Sequence, residues 1–128
     1  MKVEKQNLLI ANDTDFLLLG YSQQLKLYFN VYLAFTGKDA LELMEKKDPG
    51  FFKVIILDIN MPVMGGIEAA RQIQARYAVK PEHKPLIYFL SGDEMHDNRE
   101  ALAEIDYAAY FTRLTLEGEI KAILTSLR

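Results

Sequence analysis

The chain has 128 residues, of which 50% are hydrophobic and 26% are charged, and its formal net charge is −3. This length and composition are typical of one globular domain with a buried core. The basic residues are scattered, which argues against direct nucleic-acid binding, and the lack of cysteine excludes disulfides and thiolate metal sites. The sequence contains neither a signal peptide nor an apolar run of about 18 residues that could cross a membrane, so we expect a cytoplasmic location.

The amino-terminal part of the chain predicts two strands, each followed by a helix. Both strands are short apolar runs, and both helices begin at a residue whose side chain can cap the first turn. The elements are a strand over 8–11, a helix from Thr14 or Asp15 to about Phe29, a strand over 31–35, and a helix from Thr36 that ends at 48–50.

The remainder of the chain predicts three further strand–helix pairs. The elements are a strand over 53–57, a helix from near Gly66, a loop over 80–85, a strand over 86–90, a helix over 97–104, a strand over 108–111, and a helix capped by Thr115. Helical spacing places one apolar face of each helix toward the core. These faces comprise Leu18, Tyr21, Leu25 and Tyr28; Ala40, Leu41 and Met44; Ile67, Ala70, Ile73 and Tyr77; Ala101, Leu102 and Ile105; and Leu116, Ile120, Ile123, Leu124 and Leu127.

Strands and helices alternate five times, which is the pattern of an α/β protein with a parallel sheet. We therefore expect a flavodoxin-like, doubly wound, five-stranded parallel sheet in the order 2-1-3-4-5 with five helices. The chain is expected to form a single domain over 1–128 without an output domain.

Asp58 is the most informative residue in the sequence. It directly follows four branched apolar residues at 54–57, which predict a strand buried on both faces. Pro62 and the pair Gly65 and Gly66 then turn the chain into the next helix. A carboxylate at the end of a rigid strand, covered by a shaped loop, is typical of a reactive site. A helix-capping or loop aspartate is the alternative interpretation.

The carboxyl ends of strands one, three, four and five carry Asn12 and Asp13, Asp58, Ser91 and Arg113. Two carboxylates about 5 Å apart repel by about 3 kcal/mol at an effective dielectric constant near 20, which a divalent cation such as Mg²⁺ relieves. Phosphoryl transfer to Asp58, with Ser91 and Arg113 on the phosphoryl oxygens, fits this set. The spacing does not select that chemistry uniquely. A helix cap at Asp13, a turn serine and a surface arginine fit the spacing too.

The chain resembles the receiver domain of two-component response regulators over nearly its whole length. It is most similar to receivers attached to, or served by, hybrid sensor kinases. The stretch around Asp58 is the most specific part of the likeness. The matching segments are 8–13, 54–66, 90–92 and 109–113.

The resemblance implies a Mg²⁺-dependent phosphoacceptor. Asp58 would accept a phosphoryl group from a histidine kinase or a histidine phosphotransfer protein. Asp13 and Asp58 would bind Mg²⁺ directly, together with the backbone carbonyl of Asn60. Asn12 stands where the family has an acid that reaches the metal through water, so metal binding is expected to be weakened.

The resemblance also implies a switch. Ser91 and Arg113 would contact the phosphate, and Tyr110 would turn inward when Ser91 engages it. The surface of the fourth helix, fifth strand and fifth helix would then change and select another protein. No turnover of an external substrate is expected, and a homodimer through the last two helices is compatible with the sequence.

Three departures from the family pattern keep a second interpretation open. Arg113 replaces a nearly obligatory lysine, Leu114 replaces a proline, and Asn12 replaces an acid. The alternative is a pseudo-receiver that acts as a constitutive protein-interaction module without phosphorylation. Retention of Asp58 among clustered acids favours phosphoryl acceptance. A haloacid-dehalogenase-type phosphatase would need a second acid at Asn60, and a flavodoxin would not carry acids after its first strand.

Overall fold

The computed structural model describes residues 4–91, 98–112 and 116–127. Strands and helices alternate along this part of the chain, as the sequence predicts. The elements are β1 (Gln6–Ala11), α1 (Asp15–Leu25), β2 (Phe29–Ala34), α2 (Gly37–Glu45), β3 (Phe52–Asp58), α3 (Gly66–Arg76), β4 (Leu86–Ser91), α4 (Arg99–Leu102), β5 (Ala109–Thr112) and α5 (Leu116–Ser126), with a 3-10 turn at Pro81–His83.

The five strands form one parallel sheet in the order β2-β1-β3-β4-β5. This confirms the doubly wound, flavodoxin-like fold. Alternate residues of each strand enter two separate cores, so that Ile55 packs toward α2 and α3 while Ile56 packs toward α1 and α5. Complete burial of such a side chain contributes about 1.5–3 kcal/mol, and β3 is buried on both faces because it lies at the centre of the sheet.

The first helix is shorter than the sequence predicts. It ends at Leu25 instead of Phe29, and Phe29 is the first residue of β2, where it pairs with Gln6. The prediction that Tyr28 faces the core is therefore wrong, since its side chain is 47% exposed. The aromatic and β-branched run of β2 pairs with β1, and this tertiary pairing outweighs the helical spacing read from the sequence.

Helix capping follows the prediction at one of the two expected positions that the structure describes. The Thr36 hydroxyl accepts a hydrogen bond from the backbone N–H of Asp39 at 3.0 Å. Thr14 occupies the N-cap of α1, but its side chain makes no capping hydrogen bond. The predicted cap at Thr115 and the predicted helix start at Asp97 lie outside the described residues.

Within the described part of the chain, no helix combines the length and the apolar character needed to cross a membrane.

Candidate functional site

Three buried polar side chains lie at the carboxyl edge of the sheet. Asn12, Asp58 and Ser91 are 0%, 1% and 0% exposed. Among the described residues, no other polar or charged residue is buried. Each stands at the end of a central strand, directly after β1 or as the last residue of β3 or β4. Buried polar groups are uncommon unless they have partners or a function. Their convergence here defines the candidate site.

Asn12 and Asp58 are neighbours across two adjacent strands. Ala11 of β1 is paired with Leu57 of β3, and each of the two polar residues follows one member of that pair. Adjacent strands lie about 4.8 Å apart, so the two side chains are within reach of a common ligand. Ser91 ends β4, whose Leu90 is paired with Asp58.

The loop after Asp58 is held close to the strand by backbone contacts. The N–H of Gly66 donates to the carbonyl of Ile59 at 3.0 Å, and the N–H of Ile59 donates to Leu90 at 3.2 Å. A Cβ on Gly66 would lie 2.3 Å from the carbonyl oxygen of Asp58, and one on Gly65 would lie 2.7 Å from that of Ile59. No side chain fits at either position, which is the physical reason for the paired glycines.

A third glycine, which the sequence analysis did not single out, clamps the same loop from α2. The N–H of Gly37 donates to the carbonyl of Met64 at 2.9 Å. A Cβ on Gly37 would lie only 2.6 Å from that oxygen and 3.0 Å from the Cβ of Ala69. The position of Gly37 directly after the capping Thr36 was the one feature of the sequence that could have indicated this contact.

Val63, at the tip of this loop, has a strained backbone that was not predicted from the sequence. Its φ is +68°, and it is the single non-glycine residue with positive φ in the described ranges. The N–H of Met64 donates to the carbonyl of Pro62 at 2.7 Å, which closes a γ-turn around Val63. Positive φ is unfavourable for a β-branched residue. The side chain is nevertheless 84% exposed.

The other residues predicted for the site are less buried or lie outside the described residues. Asp13 and Asn60 are exposed next to Asn12 and Asp58. Tyr110 lies on β5, paired with Phe89, and is 51% exposed. Arg113, together with Leu114, follows β5 outside the described residues.

The donor set at this edge suits a hard cation such as Mg²⁺. Mg²⁺ would be held by the carboxylate oxygens of Asp13 and Asp58 and by a backbone carbonyl oxygen near Asn60, all of which are hard oxygen donors. No group of three or more His, Cys, Asp or Glu side chains that could hold a metal occurs in the described ranges. Asn12 lies beside Asp58 at this edge, and its Nδ2 is buried without a hydrogen-bond partner among the described residues.

Comparison with known proteins identifies the family. Residues 8–125 match the response regulator receiver domain, and the chain belongs to this family. It is 31% identical over 103 residues to the aerobic respiration control sensor protein ArcB of Escherichia coli K12. That match covers 80% of this chain and 13% of ArcB, so the chain spans a small part of that relative's length.

Two solved structures illustrate the likeness of fold. One is the receiver domain of the sensor histidine kinase PA1611 from Pseudomonas aeruginosa, with magnesium coordinated in its active-site cleft; the TM-score is 0.80, with 22% identity over 96% of this chain and 97% of that one. The other is the receiver domain of Ssk1 with the histidine phosphotransfer protein Ypd1 of Saccharomyces cerevisiae; the TM-score is 0.72, with 22% identity over 84% of this chain and 78% of that one.

The chain is thus a receiver domain of two-component signal transduction. Such domains pair with histidine kinases or phosphotransfer proteins and are phosphoacceptor switches rather than catalysts that act on external substrates.

Proposed function

We propose that this receiver is phosphorylated on Asp58 in the presence of Mg²⁺ and signals by altered binding to another protein. The observation that carries the proposal is the position of Asp58. Asp58 is 1% exposed at the carboxyl end of the central strand, beside Asn12 and Ser91. The glycine-rich loop that covers it leaves no room for a side chain. A buried carboxylate on a backbone held in this way is suited to act as a nucleophile.

The reaction exchanges one phosphorus bond for another. A carboxylate oxygen of Asp58 attacks the phosphorus, and the bond from phosphorus to the donor's imidazole nitrogen breaks. That nitrogen keeps the electron pair, and the product on Asp58 is a mixed anhydride. Mg²⁺, when bound by Asp13, Asp58 and the carbonyl of Asn60, would supply positive charge against the phosphoryl oxygens.

Two further side chains are assigned to the switch. The hydroxyl of Ser91 would donate a hydrogen bond to a phosphoryl oxygen, and Arg113 would supply a cation that can bind phosphate with two N–H groups. Tyr110 on β5 is half exposed, and it would turn inward from this position when Ser91 engages the phosphate.

Exposed apolar side chains on the two chain segments that follow Asn12 and Asp58 support a protein as the phosphoryl donor. Phe16 and Leu19 of α1 are 84% and 57% exposed, and Val63 in the covering loop is 84% exposed. Large apolar side chains that are exposed on segments leading away from a polar site favour a docking surface for a partner. We propose that a histidine kinase or histidine phosphotransfer protein docks here, in the cytoplasm.

The pseudo-receiver is the second candidate function. The observations that favour it are Arg113 in place of lysine and the amide of Asn12 in place of an acid. A module of this kind would keep the fold and its binding surface but would not change shape on phosphorylation.

Incubation with acetyl phosphate tests the proposal. Intact mass is recorded with and without Mg²⁺ for the wild type, for Asp58→Asn, and for Asp48→Asn, a control aspartate in the exposed loop before β3. We expect one Mg²⁺-dependent phosphoryl adduct on the wild type and on Asp48→Asn, and none on Asp58→Asn.

The same samples separate the two candidate functions. Amide spectra with beryllofluoride, a phosphoryl mimic, should change at Tyr110 and in α5 if the chain is a switch. An adduct without those spectral changes would indicate acceptance without switching. A wild type that stays unmodified in millimolar Mg²⁺ would contradict the proposal and favour the pseudo-receiver.

A further inference from the structure

We infer that Asn12 positions the phosphoryl group instead of the metal ion: its Nδ2 donates a hydrogen bond to an oxygen of the group carried by Asp58. The inference rests on the proposed phosphorylation of Asp58 and adds a residue to it. An acid at this position could accept hydrogen bonds from metal-bound water. An amide nitrogen can only donate.

The orientation of the Asn12 amide is fixed by its neighbour two residues along the chain. The side-chain oxygen, Oδ1, accepts a hydrogen bond from the backbone N–H of Thr14 at 2.7 Å. Exchange of the oxygen and nitrogen atoms would place an N–H₂ group against this N–H, donor against donor. The hydrogen-bond network therefore places the oxygen toward Thr14 and leaves Nδ2 facing away from it.

Nδ2 is a buried donor that lacks an acceptor in the described part of the chain. Asn12 is 0% exposed, and Nδ2 has no hydrogen-bond partner there. Buried donors without partners are rare and call for an explanation. The neighbouring strand end carries Asp58, one residue beyond the pair Ala11 and Leu57. A phosphoryl group on Asp58 would bring three acceptor oxygens into this region.

Charge leads to the same conclusion. A cation repels the partial positive charge of an N–H₂ group, whereas a phosphoryl oxygen attracts it. Because Asn12 is neutral, an arriving phosphoryl group meets the carboxylates of Asp13 and Asp58 but no third acid at this position. Asn12 is thus a poor partner for hydrated Mg²⁺ and a suitable partner for an oxyanion.

The first test observes the Asn12 side chain directly. The ¹⁵N-labelled protein is saturated with Mg²⁺ and titrated with beryllofluoride, and the Asn12 amide signals are assigned by their loss in Asn12→Ala. We expect these protons to shift downfield and exchange more slowly with water once the mimic binds. The control is Asn30, whose Nδ2 already donates to the carbonyl of Lys5 at 3.2 Å and to Asn7 Oδ1 at 3.1 Å. Its signals should not move.

The second test compares affinities for the metal alone and for the mimic, both from backbone amide shifts. Asn12→Ala should weaken beryllofluoride binding at saturating Mg²⁺ by about 10- to 100-fold, the effect of one hydrogen bond to an ionised group. Its dissociation constant for Mg²⁺ should stay within about twofold of the wild type, as expected if the amide makes no net contact with the ion.

The variant Asn12→Asp keeps the side-chain shape and the oxygen that accepts from the Thr14 N–H. It provides a second test if Asn12→Ala does not fold. It converts the donor into a charged acceptor, so Mg²⁺ should bind about tenfold more tightly than in the wild type. Equal or weaker binding of Mg²⁺ would contradict the inference.

The failure of this inference differs from the failure of the proposed function. If the wild type forms the adduct but the Asn12 amide does not move and Asn12→Ala binds the mimic equally well, Asn12 has no positioning role and phosphorylation of Asp58 stands. Weaker Mg²⁺ binding by Asn12→Ala would also overturn the inference, because it would show that the amide serves the metal. If the wild type forms no adduct, both proposals fall.

Discussion

Gly66, the first residue of α3, lies against the backbone of Asp58, so closely that a Cβ would be 2.3 Å from the Asp58 carbonyl oxygen. The first residue of α3 and the last residue of β3 are therefore in direct contact. The N–H of Gly66 also donates a hydrogen bond to the carbonyl of Ile59, the residue that follows Asp58. This contact fixes the backbone of Asp58, which a nucleophile held for reaction requires.

Replacement of Gly66 by alanine should be strongly destabilising. The added methyl group meets backbone atoms that cannot rotate away, and we expect Gly66→Ala to lower the free energy of unfolding by about 2–4 kcal/mol in urea denaturation. Gly20→Ala in α1 is the matched control, since nothing lies within 4 Å of its Cβ position. It should raise stability by about 0.5–1 kcal/mol. Equal effects of the two substitutions would contradict this account.

Val63 stores backbone strain at the tip of the loop over the site. Replacement by glycine removes the steric conflict at φ +68° and should raise the free energy of unfolding by about 0.5–2 kcal/mol. Val79→Gly is the control, because Val79 is 83% exposed but has negative φ. It should lower stability by up to about 1 kcal/mol. Thermal unfolding followed by circular dichroism gives both values, and a loss of stability in Val63→Gly would show that the turn is not strained.

The hydroxyl of Tyr88 is buried without a hydrogen-bond partner in the described part of the chain. Its ring is 2% exposed and stacks on Phe111, with centroids 5.0 Å apart. Tyr88→Phe keeps the stack and removes the unpaired group, so we expect stability to rise by about 1 kcal/mol. Phe111→Leu keeps the hydroxyl and removes the stack, and it should lower stability by about 1–2 kcal/mol. Destabilisation by Tyr88→Phe would reveal a partner for the hydroxyl.

Phe16 tests the proposed docking surface. Phe16→Ser should leave labelling by acetyl phosphate unchanged, because the side chain is 84% exposed and the small donor needs no protein contact. The rate of phosphoryl transfer from a histidine phosphotransfer protein that phosphorylates the wild type should fall about tenfold. This is the usual effect of losing a central apolar contact. Val79→Ser, at the opposite edge of the sheet, is the control. Equal transfer rates for both variants would exclude Phe16 from the interface.

The periodicity of the sequence was sufficient for the alternation of strands and helices, because buried parallel strands and amphipathic helices have different and local signatures. It was not sufficient for the boundary between α1 and β2. Phe29 fits the helical spacing, yet in the structure it pairs with Gln6, and a contact across 23 positions leaves no local signature. Tyr28 is exposed for the same reason.

By itself the sequence determined which chemical groups gather at the carboxyl edge, since the order of strands fixes where each strand end lies. Asp58 and Ser91 are at the ends of their strands for this reason. Only the tertiary structure decided how those groups are presented. The burial of Asn12 beside the end of β3 and the close approach of Gly37 to Met64 depend on atoms that are distant in the sequence, and distances between such atoms are not encoded in any local pattern.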